Sequence, residues 1–448
     1  MNRRDFLKGS IVATAASLAG RTAVAAADAR VSDTSPASMP LIASAPVLQN
    51  AAGISMGVSF AVTADASGWV EVSKDPSLKN AVKYFSGGHG LMTVDDKIAL
   101  IRVTGLEPAT KYYYRIGADR IEFKGGYAMK NLGAEVGSKI HSFTTLGAAA
   151  SGAFCVINDT HNKKPVLDRV LSKLAEIKPA AVIWNGDASN TTETIEQALD
   201  IFIHTHKDYP EYAADTPFMF LNGNHDFRGR FNRRLGDLMM FREPAERKGE
   251  YADLGRNFVQ RLGDIALIGL DTGEDKLDTN PLFAGIFRMQ EYREMQARWL
   301  AEAIETEAVK SAKFKVAFCH IPLFDADPQQ NPGDVVPADK DPRYTHDYAR
   351  WQRTCAKLWG PSFEKADVQL VITAHQHRFR YDAPAAGRSW AQIVGGGAEF
   401  GVIGHGAAAR PDAGKFPTVI EGKVAGGRLV VTVHDVCHNK IAGEYTFG

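Results

Sequence analysis

Phe154-Cys155-Val156-Ile157-Asn158-Asp159-Thr160-His161 is an apolar run of strand length that stops at a carboxylate and an imidazole, and four later stretches repeat that grammar. Val182-Ile183-Trp184 runs into Asn185-Gly186-Asp187, and Phe218-Met219-Phe220-Leu221 into Asn222-Gly223-Asn224-His225-Asp226. Val316-Ala317-Phe318-Cys319 ends at His320, and Leu370-Val371-Ile372-Thr373 at Ala374-His375-Gln376-His377. Further strands are expected at 264–270, and helices at 165–177 and about 288–308. Strands separated by helices predict a layered α/β domain. In such sheets the ends of parallel strands converge on one crevice, so five distant stretches can meet there. Late strands at 391–395, 417–424 and 428–436 read as antiparallel additions that complete a sheet.

The side chains at these strand ends are more than one metal ion needs. Two ions need about this many, and a carboxylate can bridge metals roughly 3.5–4 Å apart, the spacing of two-metal hydrolases. Imidazole and carboxylate without thiolate favour Fe, Mn or Zn. The four cysteines, Cys155, Cys319, Cys355 and Cys437, are scattered without C-x-x-C spacing and form no zinc knuckle; Cys155 and Cys319 read as small buried hydrophobes.

The order D-x-H, G-D, G-N-H-D, a lone His and a closing H-x-H resembles the calcineurin-like metallophosphoesterase superfamily over residues 154 to 437. The resemblance implies a central β-sandwich flanked by helices in residues 153–448. It implies that Asp159, His161 and His377 hold a first metal, that Asp187 bridges, and that Asn224, His320 and His375 hold a second. His225 would face the substrate instead of binding metal. Asn158 and Ala374 stand where the family usually has Gly. Purple acid phosphatases place an iron-binding tyrosine three residues after the G-D aspartate, where this chain has Asn190, and they lack the His of D-x-H, which is present here as His161.

Upstream, residues 47–147 alternate short apolar runs with turns, such as Gly57-Val58-Ser59-Phe60-Ala61-Val62 and Gly68-Trp69-Val70-Glu71-Val72, predicting a small all-β sandwich. Leu106-Glu107-Pro108-Ala109-Thr110-Lys111-Tyr112 resembles the tyrosine corner of fibronectin type III domains, the kind of domain that precedes the catalytic domain in purple acid phosphatases. Residues 26–46 are Ser/Ala/Pro-rich and expected to be linker. Residues 1–25 read as a leader: Arg3-Arg4-Asp5-Phe6-Leu7-Lys8 resembles the twin-arginine export signal, and Ala23-Val24-Ala25 is a small-x-small cleavage signal. The apolar stretch from Gly9 to Gly20 is short of the about 20 residues a membrane span needs. No other stretch reads as a span, so the expectation is a soluble periplasmic or secreted protein that engages the twin-arginine export machinery.

Lys plus Arg and Asp plus Glu number 52 each, so no net field favours long nucleic acid. A small phosphorylated substrate needs only a local positive site. Two metal ions would clamp its phosphoryl oxygens and supply a hydroxide for in-line attack. His225 is the expected acid for the leaving oxygen, and Asp226 either orients its imidazole or is a plain loop residue. Among Arg228, Arg230, Arg233 and Arg234, Arg228 is the expected phosphate contact by proximity. A polar insertion at 325–346, with Arg343, Tyr344 and His346, is either a wall of the cleft or a surface loop. A phosphomonoesterase is the leading expectation. A phosphodiesterase for nucleotides or phospholipid headgroups stays open, as does a non-enzymatic surface binding protein with structural metals.

Overall fold

The computed structural model describes residues 39–204, 210–239, 249–251, 254–324, 348–398, 402–403, 410–411 and 415–448. The expected leader and the 325–346 insertion lie outside the described residues.

Two sheets carry the strands that end in polar residues. The first has nine strands in the order Lys440–Phe447, Arg428–Asp435, Thr418–Ala425, Phe154–Ile157, Ala181–Asn185, Phe218–Leu221, Val47–Gln49, Ser55–Ala61 and Ile98–Thr104. The second has six, in the order Phe258–Leu262, Ile265–Gly269, Phe314–Phe318, Leu370–Thr373, Ala391–Val394 and Arg380–Asp382. The sheets face each other across one apolar core in which Phe154, Val156, Ile183 and Leu221 meet Leu267, Val316, Phe318 and Ile372. Phe154 and Phe318 stack edge to face at 5.5 Å across that gap. A fully buried side chain of this kind contributes about 1.5–3 kcal/mol.

Helices cover the outer faces, giving a mixed α/β fold in four layers. Lys164–Ile177 presents Val166, Leu167, Val170, Leu171 and Leu174, three and four apart, to the outward side chains Cys155, Ile157 and Val182 of the first sheet. On the second sheet, Leu300 of Met289–Ala303 and Cys355, Trp359 and Phe363 of Tyr348–Ala366 pack on Ile268, Ala317 and Val371. Of the late strands, Thr418–Ala425 and Arg428–Asp435 are antiparallel as expected, but Ala391–Val394 runs parallel to Leu370–Thr373 in the other sheet. The chain reaches it through Arg380–Asp382, three residues whose antiparallel pairing the sequence pattern does not announce.

Residues 40–448 form one compact unit. The upstream strands join the first sheet through Val47–Gln49, where Gln49 lies opposite Phe218 in parallel register and Asn50 N donates to Phe218 O at 2.9 Å. A third sheet, of His141–Thr144, Lys111–Phe123, Ala66–Ser73 and Val82–Phe85, with Met129–Val136 on Lys111–Phe123, packs Val70, Val72, Tyr114 and Ile116 against Val58, Phe60, Ile101 and Val103. The Tyr112 hydroxyl accepts the Glu107 amide at 2.9 Å and pins the turn between them. Leu41, inside the stretch expected to be linker, is buried in the core, and its amide donates to the Glu135 carboxylate at 2.6 Å. An apolar side chain with a core to enter outweighs the Ser/Ala/Pro composition around it.

Candidate metal centre

The five polar stretches meet where the two sheets open at their strand ends. Asn185 ties them there, its Nδ2 donating to the Cys319 carbonyl at 2.9 Å and the Ile372 carbonyl at 3.3 Å. Asp159, His161, Asp187, His375 and His377 all take left-handed backbone, with φ between 46° and 71°. Non-glycine residues adopt that region in only a few per cent of cases, and such strain collects at functional sites. It turns each side chain off the strand direction and into the crevice. The backbone crowds too: a Cβ on Gly223 would lie 2.1 Å from Asp187 Oδ1, and one on Gly186, at φ +84°, 2.5 Å from His320 Nδ1. Only glycine fits at either position.

Asp159, His161, Asp187 and His377 form one cluster of ligand atoms within 4.8 Å of one another, and Asp187, His320 and His375 form a second. Asp187 belongs to both. His377 Nε2 lies 3.4 Å and His320 Nε2 3.8 Å from Asp159 Oδ1, and His320 Nε2 lies 3.3 Å from Asp187 Oδ2. Asn224 joins the second cluster, with its Oδ1 2.9 Å from His375 Nδ1. All seven expected ligands are therefore brought together.

The donor set fits a pair of cations. Ligand atoms 2.0–2.2 Å from a tetrahedral ion stand about 3.4 Å apart, close to the spacings above. Asp159 Oδ1 and His320 Nε2 are buried without a hydrogen-bond partner, the state of atoms that wait for an ion. His161 Nε2 and His377 Nε2 face each other at 2.9 Å. The outer nitrogens are held, His161 Nδ1 donating to Asn190 Oδ1 at 2.8 Å and His320 Nδ1 to the Asn185 carbonyl at 2.8 Å, which leaves both Nε2 atoms as the ones that face the cluster.

The charges are coupled. Burial works to raise Asp159, but His377 and His320 hold its carboxyl at about 2, and His320 and its neighbours hold Asp187 lower still against the same burial penalty. Burial alone would lower His320; Asp187 and Asp159 raise it to about 10. Burial, then the charge of His320, pushes His375 down to about 4. Two carboxylates kept ionised among imidazoles make a strongly cation-attracting pocket.

His225 sits beside this cluster, outside both ligand groups. Its amide donates to Asp187 Oδ1 at 2.9 Å, its ring stands edge-on to His161 at 5.0 Å, and its Nδ1 donates to the Asn190 carbonyl at 3.0 Å. Asp226 does not orient it. The Asp226 carboxylate turns back to accept the Gly223 amide at 2.8 Å, and burial, then Asp187, raises its pKa to about 7. Arg228 is not open to phosphate as expected: its fork is taken by Glu274, at 3.0 and 2.8 Å, with Asp275 at 2.9 Å. Its remaining Nη1 lies 3.2 Å from His225 Nε2. A fully buried Glu274 outcompetes a solvated ligand for that guanidinium. Asn190, Asn185, Glu274 and Asp275 all escaped the sequence reading as site residues. Only the position of Asn190 relative to Asp187 carried a signal.

Two cation-ready clusters sharing one aspartate, at the mouth of a double α/β sandwich, define a metal-dependent phosphoesterase. The family model for calcineurin-like phosphoesterases matches residues 153–379, just over half of the 448 residues, and the chain belongs to that family, making it a phosphoesterase hydrolase. Residues 1–20 match the twin-arginine translocation signal sequence, which directs a chain to the periplasm or beyond. Among the described residues no helix is long and apolar enough to cross a membrane. No curated protein matches the chain in sequence. Among solved structures it is similar to the purple acid phosphatase PPD1 from yellow lupin (Lupinus luteus) seeds, at 15% identity and TM-score 0.58, over 90% of this chain and 73% of that one. It is also similar to Plasmodium GAP50, the anchor in the inner membrane complex, at 13% identity and TM-score 0.42, over 67% of this chain and 89% of that one.

Proposed function

We propose that this chain is an exported phosphomonoesterase that works with two bound transition-metal ions. The observation that carries the reading is the pair of ligand clusters joined at Asp187, with Asp159 Oδ1 and His320 Nε2 buried and unpartnered between them. In this reading Asp159, His161 and His377 would hold the first ion and Asn224, His320 and His375 the second, with Asp187, a member of both clusters, serving both; Fe, Mn or Zn are the candidates for this borderline-to-hard set of imidazole, carboxylate and amide donors. The ions supply positive charge for the phosphoryl oxygens and acidify water.

The rest is the work of the chain. Asn190 holds His161 with its side chain and His225 with its carbonyl, so one residue aligns a ligand and the proton donor. His225, whose Nδ1 is held and whose Nε2 faces Arg228 Nη1 at 3.2 Å, would have to swing Nε2 from the guanidinium to the reacting group and carry a proton there to protonate the leaving oxygen, a contribution of typically 10²–10⁴-fold. Arg228, held in place by Glu274 and Asp275, limits where that ring can go. We read Val47 to Gly147 as a fibronectin-like module that braces the catalytic region, 153–448, through the shared sheet. A diesterase acting on nucleotides or phospholipid headgroups is the second reading, since the metal clusters suit either ester.

The test is His225→Asn assayed on an alkyl monoester and an activated aryl monoester, with bis-aryl phosphate alongside. The expected result is retained metal, a loss of 10²-fold or more on the alkyl ester and a much smaller loss on the aryl ester, whose phenolate leaves without a proton. Equal losses on both, with metal retained, would remove the acid role. Faster turnover of the diester than of either monoester would favour the second reading.

A further inference from the structure

A cavity of about 300 Å³ opens between Phe227 and Arg233 on one side and Phe287, Met289 and Tyr292 on the other, with Arg256 also in its wall. Phe227 is two residues beyond His225, a chain reach of about 7 Å at most. Asn232, in the same wall, donates from Nδ2 to the Arg228 carbonyl. The opposite wall is tied to the strand ends as well: the Tyr292 hydroxyl donates to Asp271 Oδ2 at 3.2 Å, and Asp271 accepts from Asn222 Nδ2 at 3.2 Å. Both walls are thus tied to the strand-end stretch 222–228 that carries Asn224 and His225.

Its lining has two chemistries. Phe227, Phe283, Phe287, Met289 and Tyr292 form a small apolar cluster apart from the main cores, with Phe227 and Phe287 edge to face at 6.4 Å. Guanidinium groups lie over these rings: Arg233 over Phe287 at 4.7 Å and Arg256 over Phe227 at 5.3 Å. Among the described residues no lining side chain is acidic. Burial pushes the Arg233 pKa down, with no carboxylate among the described residues acting against it. Aromatic faces held beside cations receive a flat ring that carries a negative charge.

We propose that this cavity is the leaving-group subsite, and that it selects phosphate esters whose leaving group is an aromatic ring bearing a second anionic substituent. The proposal rests on the phosphomonoesterase reading and extends it to a substrate class. Arg233 meets the distal anion, the joined rings of Phe227 and Phe287 form the apolar floor on which the substrate ring lies, and the scissile phosphate points toward His225 and the expected metal ligands.

The experiment compares phenyl phosphate with 4-carboxyphenyl phosphate for the metal-loaded full chain and for Arg233→Gln and Phe287→Leu. It adds equilibrium binding of 4-hydroxybenzoate, which has the ring and the charge but no phosphate. The expected result is a KM about tenfold lower for the carboxylated ester, the scale of one charge-assisted contact, with that ratio falling to near one in Arg233→Gln. Phe287→Leu, which shrinks a buried ring, should melt somewhat lower and should raise KM for both aryl esters at a temperature where the variant is fully folded. Equal KM values for the two esters in the wild type, or a preference that survives both substitutions, would overturn the proposal. If neither ester is turned over, the phosphoesterase reading fails instead. The cavity is then judged by 4-hydroxybenzoate alone: binding that disappears in Arg233→Gln supports it, and no binding to the wild type refutes it.

Discussion

Asn190→Ala separates two jobs that one residue performs. The substitution removes the Oδ1 that accepts from His161 Nδ1 at 2.8 Å, but it keeps the carbonyl that accepts from His225 Nδ1 at 3.0 Å. Outer partners of ligating histidines are worth about 10–100-fold in metal affinity, which is about 1.4–2.8 kcal/mol at 1.4 kcal/mol per decade. His161 belongs to the cluster of Asp159, Asp187 and His377 and not to that of His320 and His375, so only one of two ions should weaken. Asn190 is exposed, so the fold should be unaffected. The assay is metal content per chain after dialysis against graded chelator, with turnover measured at saturating metal. One metal should leave at about 10–100-fold lower chelator strength than in the wild type. Turnover at saturation should stay within a few-fold of wild type, because the His225 contact survives. Asn190→Asp, which keeps the acceptor oxygen, should restore affinity. Simultaneous weakening of both ions, or of neither, would refute the argument that this side chain orients His161.

Asp187→Ala should strip both metals, or nearly so, because the carboxylate belongs to both clusters; a variant that retains one tight ion by elemental analysis would break the bridging assignment. The iron-loaded protein should be colourless to pale yellow, since Asn190 stands where a ligating tyrosine would produce a charge-transfer band; an intense visible band would place a phenolate on the iron. Glu274 supplies a pH test of stability. Burial, then its hydrogen bond with Asp275, raises its pKa from 4.5 to about 8. An acid raised in the folded state makes the native protein bind more protons than the unfolded chain between those values, so stability falls as pH rises from about 4.5 to about 8. Glu274→Gln should therefore be no more stable than wild type at pH 4.5 but gain on it, by a few kcal/mol at most, by pH 8.5 in urea unfolding. A difference between the two proteins that is the same at both pH values would show that Glu274 does not titrate in this range.

The sequence by itself determined the candidate ligands and the layer type. Short apolar runs that stop at Asp, Asn or His carry their function in one-dimensional order, because a strand end delivers the next residue to the sheet edge whatever the rest of the chain does. The period of the 165–177 helix and the strands at 154–157, 181–185, 218–221, 314–318 and 370–373 were legible for the same reason: local pattern and burial agree there. Tertiary structure alone decided what pairs across distance. Nothing in the spacing of Arg228 and Glu274, 46 residues apart, says that the arginine fork is already taken, and nothing near Asp226 says that its carboxylate turns to Gly223 and leaves His225 to the Asn190 carbonyl. The parallel placement of Ala391–Val394 and the joining of Val47–Gln49 to Phe218–Leu221 are likewise long-range choices. Strand pairing and buried charge pairing are settled by which partner offers the most burial and the best-matched hydrogen bonds once the chain is compact, and sequence order does not encode that competition.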